Sequence, residues 1–132
     1  MSKIIELLSS IKKIKSIGGC STEQVEEAQN ELNLVFPEEY KQYLLNFGAV
    51  RFNGVEICGL NLKGYLNVVE ATEREKSINP LFPPKMFVIE DLGIDAKLII
   101  SDEKGYIYLL QSDTKRLLCT SFSDYIEKCI YR

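Results

Sequence analysis

The chain of 132 residues contains no histidine. Histidine is the side chain most often used for general acid–base catalysis near neutral pH, and it is the commonest metal ligand. Its absence excludes Ser-His and Cys-His nucleophile pairs and histidine-bound zinc within one copy of the chain. The sequence also lacks a phosphate-binding glycine loop and a nucleophile elbow. Paired carboxylates remain as a catalytic option, but none has a recognisable catalytic setting, so we predict that the protein is not an enzyme and has no catalytic residue.

No cysteine belongs to a C-x-x-C pair, so a metal cluster or a thiol-exchange motif is poorly supported. The even number of cysteines would allow two disulfides, but no secretory signal accompanies them. All four lie in apolar neighbourhoods: Cys20, Cys58, Cys119 and Cys129. We therefore expect buried, reduced thiols in a cytoplasmic protein that holds no metal and no cofactor.

Long hydrophobic runs are missing as well. Apolar residues over positions 1–19 recur at helical spacing, but Lys12, Lys13 and Lys15 interrupt them. We predict one amphipathic helix that ends at Gly18 and packs on the core, and neither a membrane span nor a membrane partner. A helix on a membrane surface is the alternative, which the lack of a large aromatic residue on the apolar face disfavours.

Basic residues are slightly outnumbered by acidic residues, 16 to 19, and are unevenly placed. The formal net charge is −3, which disfavours direct binding to nucleic acid. Residues 1–20 carry four basic residues and one acidic residue, whereas residues 21–60 carry two basic and seven acidic residues, a net −5. The acidic excess therefore lies in the second and third predicted helices and in the hairpin that follows them.

Capping signals place these two helices. Ser21 and Gln24 have the spacing of a capping box at the start of the second helix. Pro37 suits the first position of the third helix, and Gly48 is a natural residue to end it.

Asn53-Gly54 then predicts a two-residue type I′ hairpin whose strands pack on that helix. The expected register pairs Phe52 with Val55, Arg51 with Glu56, and Val50 with Ile57.

The second half of the chain is rich in strand signals. A helix is predicted from Tyr65 to about Ile78, and the prolines of residues 79–84 predict a rigid loop. Four β-rich runs follow as a meander, over residues 85–91, 97–102, 105–112 and 115–121. A last helix closes the chain. We predict one α+β domain over residues 1–132, in which N-terminal helices pack on a mainly antiparallel twisted sheet with a C-terminal helix.

The order of several short motifs resembles the SUKH superfamily, named for the fungal cell-wall regulators of the Smi/Knr type. The motifs are "FPEEYKQYLLNFG", "ICGL", "DEKGYIYLL" and "SFSDYIEK", and the resemblance runs from about Gln24 to Lys128. The matching positions are Leu34, Phe36, Pro37, Tyr40, Leu44, Gly48, Gly59, Asp102, Gly105, Tyr108 and Phe122.

The resemblance implies a function by binding. Bacterial members are cytoplasmic immunity proteins that inhibit polymorphic or contact-dependent toxins, often nucleases, and fungal relatives are regulatory interaction modules. A chain of this length resembles the compact bacterial kind, so the expected partner is a protein toxin domain, a basic nuclease in particular. A non-catalytic regulatory or scaffold module of the Smi/Knr type is the alternative.

Six carboxylates are candidates for a surface that faces such a toxin: Glu38, Glu39, Glu56, Glu90, Asp91 and Asp95. An acidic surface imitates the phosphate backbone and raises the rate of association with a basic partner. For three of them the alternative is a structural role without a partner, since Glu38 and Glu39 favour a helix start and Glu56 faces Arg51 across the hairpin.

Three tyrosines are candidate aromatic anchors for the same interface: Tyr65, Tyr106 and Tyr108. Alternation places Tyr106 and Tyr108 on one face of their strand, with Ile107 and Leu109 on the other. That tyrosine face either lines an exposed concavity or is covered by the C-terminal helix, and the sequence allows both.

Overall fold

The computed structural model describes residues 2–132, which form five helices and two antiparallel sheets. In chain order the elements are α1 (Lys3–Ser9), β1 (Lys15–Ser16), α2 (Thr22–Leu32), α3 (Glu38–Phe47), β2 (Val50–Phe52), β3 (Val55–Ile57), α4 (Val68–Ile78), β4 (Phe87–Asp91), β5 (Lys97–Ser101), β6 (Ile107–Gln111), β7 (Thr114–Cys119) and α5 (Phe122–Ile130). The predicted α+β class with a C-terminal helix is confirmed.

The first helix is shorter than predicted. It ends at Ser9, and the backbone of Lys13 then has a φ of 61°, which no α-helix tolerates. Lys15 and Ser16 form a short strand that pairs with β2. Ile11 remains buried although it lies outside the helix, so the apolar periodicity of this segment reflects burial and not helical structure.

The capping box of α2 is confirmed, whereas Pro37 lies one position before the place predicted for it in α3. Ser21 Oγ accepts from Gln24 N at 3.1 Å, and Gln24 Oε1 accepts from Ser21 N at 2.9 Å, which completes the capping box. Pro37 precedes the first residue of α3 as its N-cap. Gly48 ends α3 with a φ of 75°.

The hairpin has the predicted register, with Phe52 opposite Val55 and Val50 opposite Ile57. Asn53 and Gly54 have φ values of 46° and 77°, and a type I′ turn needs positive φ at both positions. Since β1 pairs with the other edge of β2, the first sheet has the order β1-β2-β3.

The second sheet is the predicted meander, with the order β4-β5-β6-β7. A backbone hydrogen bond from Cys58 N to Ile89 O, of 2.8 Å, links it to the end of β3. Helix α4 begins at Val68, three residues later than predicted, because Asn67 Oδ1 accepts from Glu70 N and caps the helix there. The proline-rich segment after α4 contains no helix or strand, as predicted.

Aromatic rings join the helices to both sheets. Tyr40 and Tyr43 of α3 are fully buried and contact Phe122 of α5 edge to face. Tyr40 OH donates to Cys58 O at 2.7 Å and Tyr43 OH donates to Ile57 O at 2.9 Å, so α3 is fixed to the hairpin as predicted. Burial raises the pKa of both phenols well above its ordinary value. The four cysteines are free and buried, which confirms the prediction of their burial.

Two glycines allow the backbone to cross itself beside this cluster. A Cβ on Gly59 would lie 1.7 Å from the carbonyl oxygen of Gly48, a distance that no side chain tolerates. The crossing is fixed by a hydrogen bond of 3.0 Å from Leu60 N to Gly48 O. It brings the segment after β3 against the end of α3 and so positions the loop that leads into α4.

Candidate functional site

The structure does not bring the six predicted carboxylates together. Glu38 is exposed at the start of α3, and Asp91 and Asp95 are exposed at the turn between β4 and β5. Asp91 Oδ1 accepts from Gly93 N at 2.8 Å and so shapes that turn. These three carboxylates are accessible and lie on two separate elements, Glu38 on α3 and the two aspartates around the end of β4.

The prediction that Glu90 lies on an exposed acidic surface is wrong. Glu90 is only 3% exposed and receives hydrogen bonds from Arg132 Nη2 at 2.6 Å and from Tyr125 OH at 2.5 Å. A buried carboxylate needs such partners because burial removes its hydration. The hydrogen bond with Glu90 in turn raises the pKa of Arg132, and burial raises the pKa of Tyr125.

Glu39 accepts hydrogen bonds from the C-terminal helix. Its two carboxylate oxygens accept from the backbone N–H of Ser123, at 3.1 Å, and from the Ser123 hydroxyl. Ser123 lies in the first turn of α5, where backbone donors lack helical partners and favour an anion. Glu39 is partly buried, so its charge mainly stabilises this contact between α3 and α5.

Tyr65, Glu56 and Arg51 form a small exposed group. Tyr65 OH donates to Glu56 Oε2 at 2.7 Å, and Arg51 Nε lies 3.3 Å from the same oxygen. The hydrogen bond to Glu56 raises the pKa of Tyr65. The ring of Tyr65 stays accessible, with the residue 55% exposed. Of the three predicted tyrosines, it has the most exposed aromatic surface.

Tyr106 and Tyr108 line an exposed cleft of about 300 Å³ beside Pro84 and Met86. Tyr106 is 40% exposed, so this tyrosine face lines an exposed concavity and is not covered by the C-terminal helix. Tyr108 OH donates to Asp102 Oδ2 at 3.2 Å, and burial raises the pKa of Tyr108.

A larger acidic groove lies between α2 and α4. One part of it has a volume of about 490 Å³ and an apolar floor of Ala28, Leu60 and Val69. Glu27 and Glu31 of α2 form one wall and Glu70 of α4 forms the other. We call this feature, together with the adjoining part described next, the α2–α4 groove.

The adjoining part has a volume of about 460 Å³ and shares Glu31 and Glu70 with the first. It adds Tyr65 and Glu73, and it contains Arg74, whose Nε lies 3.7 Å from Glu75 Oε2. The α2–α4 groove therefore joins one predicted tyrosine to four carboxylates, none of which is among the predicted site residues. The acidic excess of residues 21–60 was the sequence signal for its α2 wall.

The family model SUKH_5, described as SMI1-KNR4 cell-wall, matches residues 1–131 of the chain. The chain belongs to this SMI1-KNR4 family. The resemblance to the SUKH superfamily is thereby confirmed. No curated protein matches the chain significantly.

Several motif residues of this SMI1-KNR4 family member serve the fold. Tyr40 anchors α3 through its bond to Cys58, and Asp102 Oδ1 accepts from Lys104 N and Tyr106 N, which closes the turn before β6. Among residues 2–132, no helix has the length and apolar character needed to cross a bilayer. The described part of the chain also contains no cluster of three or more cysteine or carboxylate side chains that could hold a metal ion.

Proposed function

We propose that this protein is a cytoplasmic immunity protein that binds and neutralises a polymorphic or contact-dependent bacterial toxin, with a basic nuclease domain as the partner. Membership of the SMI1-KNR4 family over residues 1–131 supports a protein-interaction module. In this proposal the protein acts by occupying its partner, without catalysis of its own.

The α2–α4 groove is the observation that carries the choice of a basic partner. Four carboxylates and two cations, Lys63 and Arg74, line its two parts. A nuclease concentrates positive charge where it binds phosphate, so an acidic groove attracts it over a distance and raises the association rate. The same electrostatic attraction weakens as salt is added, which gives the proposal a second measurable signature.

Co-expression provides the test. Cells that produce a basic nuclease toxin domain encoded next to this gene should survive when they also produce this protein, and should die with an empty vector. Purified toxin and protein should form a complex whose association slows as ionic strength rises. Death of the co-expressing cells, together with no complex at low salt, would contradict the proposal.

A second candidate, a regulatory module without a toxin, is favoured by the description of the family as SMI1-KNR4 cell-wall. Such a module would bind a resident protein of its own cell through the same kind of surface. Gene neighbourhood separates the two functions, because an adjacent secreted reading frame with a toxin domain supports immunity and its absence supports regulation.

A further inference from the structure

The carboxylates of the α2–α4 groove repeat at the spacing of a helix turn. Glu27 and Glu31 are four residues apart on α2, and Glu70 and Glu73 are three residues apart on α4. Side chains three or four residues apart share one face of a helix, with about 5–6 Å between their Cβ atoms. The two walls therefore present two rows of negative charge with a repeat of one turn.

The four carboxylates of the groove form no ion pair within the described range 2–132. Glu70 accepts a hydrogen bond of 3.1 Å from Gly64 N, which holds its side chain at the groove wall. A cationic partner therefore has no internal ion pair to displace at any of the four.

The groove also offers apolar contact. Its floor is closed by Ala28, Leu60 and Val69, and the exposed ring of Tyr65 stands beside it. An apolar centre with a polar rim is the usual anatomy of a protein interface, and tyrosine is enriched among residues that dominate binding energy. This combination distinguishes the α2–α4 groove from a merely solvated acidic face.

We infer that the α2–α4 groove docks a basic helix of the partner, with Lys or Arg at positions i and i+4 that face the two rows of carboxylates. This inference rests on the proposed function and adds the surface and the kind of segment that it binds. Residues 24–31 of α2 span about 10 Å, which accommodates roughly two turns of a docked helix. The two long walls of the groove are helices, so a partner strand would find no open sheet edge along them.

A synthetic helix tests the inference without knowledge of the toxin. The probe is an alanine-rich peptide of about 18 residues, long enough to be helical in water, with lysine at every fourth position. A second peptide has the same composition, but its lysines are spread around the helix. Amide shifts of the ¹⁵N-labelled protein should change at Glu27, Glu31 and Tyr65 with the first peptide, and binding of the second should be weaker.

Matched charge reversals provide the control. Glu31→Lys with Glu73→Lys should weaken binding of the first peptide about tenfold, because two attractions become repulsions. Glu26→Lys with Glu127→Lys changes the net charge equally at exposed helical positions outside the groove, and it should change binding less than about twofold.

Equal effects of the two double variants, equal binding of the two peptides, or shifts centred elsewhere would each overturn the inference. Failure of the toxin test with groove-centred peptide binding would refute the immunity function and leave the docking surface in place. Neutralisation of the toxin by the Glu31→Lys, Glu73→Lys variant as efficient as by the wild type would refute the groove alone.

Discussion

Replacement of Arg132 by alanine removes the cation that neutralises a carboxylate buried between β4 and α5. Arg132 donates two hydrogen bonds to Glu90, from Nη1 at 3.2 Å and from Nη2 at 2.6 Å, and the Glu90 side chain is 4% exposed. Loss of one partner of a buried ion pair costs about 3–5 kcal/mol when both charges are buried. Arg132 is itself 42% exposed at its side chain, and Tyr125 still donates to Glu90 in the variant. We therefore expect a loss of about 2 kcal/mol in the free energy of unfolding.

Urea denaturation followed by circular dichroism measures this loss, and for a chain of this size about 2 kcal/mol corresponds to roughly 8 °C in Tm. Arg116→Ala is the matched control, because Arg116 is exposed on β7 and makes no ion pair with residues 2–132. We expect it to stay within about 0.5 kcal/mol of the wild type.

A double variant separates charge burial from packing. With Glu90→Gln already in place no buried charge remains, so Arg132→Ala should then cost clearly less than it does alone. Equal stability of Arg132→Ala and Arg116→Ala, or an equal cost of Arg132→Ala in both backgrounds, would contradict charge burial as the cause.

Two further predictions concern the core. Burial raises the pKa of Cys58 from 9.0 to about 12 and that of Cys129 from 9.0 to about 11. The folded state then holds protons that the unfolded state releases above pH 9, so the two thiols should remove about 2–3 kcal/mol of stability between about pH 8 and pH 10. A double cysteine-to-alanine variant should show a flatter pH profile, and equal slopes would contradict this origin. Gly59→Ala forces a Cβ onto the carbonyl of Gly48 and should cost about 3 kcal/mol or more. Gly64 has open space around it but a φ of 99°, so Gly64→Ala should cost only the backbone strain, about 1–2 kcal/mol. Equal Tm losses in the two variants would contradict crowding at Gly59 as the cause.

The sequence predicted correctly those parts of the fold that depend on residues close together along the chain. The hairpin of residues 50–57 was correct to the residue, because the turn and both strands are adjacent and Asn53-Gly54 fixes their register. Strand β1 was missed because the strand it pairs with, β2, lies far along the chain, with Lys15 opposite Arg51. The segment that contains β1 also has the apolar periodicity of a helix. Glu90 was misplaced because β4 is buried on both faces over residues 87–90, and a carboxylate in a short strand otherwise indicates a surface.

The acidic residues divide into those that the fold uses and those that it leaves free. Glu39 binds the first turn of α5, Glu56 binds Arg51 and Tyr65, Glu90 binds Arg132, and Asp91 accepts from Gly93 N. Four of the six predicted partner-facing carboxylates therefore already have partners inside the molecule. Sequence predicted Arg51 opposite Glu56, but it could not find the partners of Glu39 and Glu90, because these lie in the C-terminal segment that only the tertiary structure brings near. The unpaired carboxylates of the α2–α4 groove come from segments that are more than thirty residues apart, and each segment alone has the pattern of a solvated helix face. What makes them a candidate site is that folding places both rows around one apolar floor, and the peptide with regularly spaced lysines tests that juxtaposition directly.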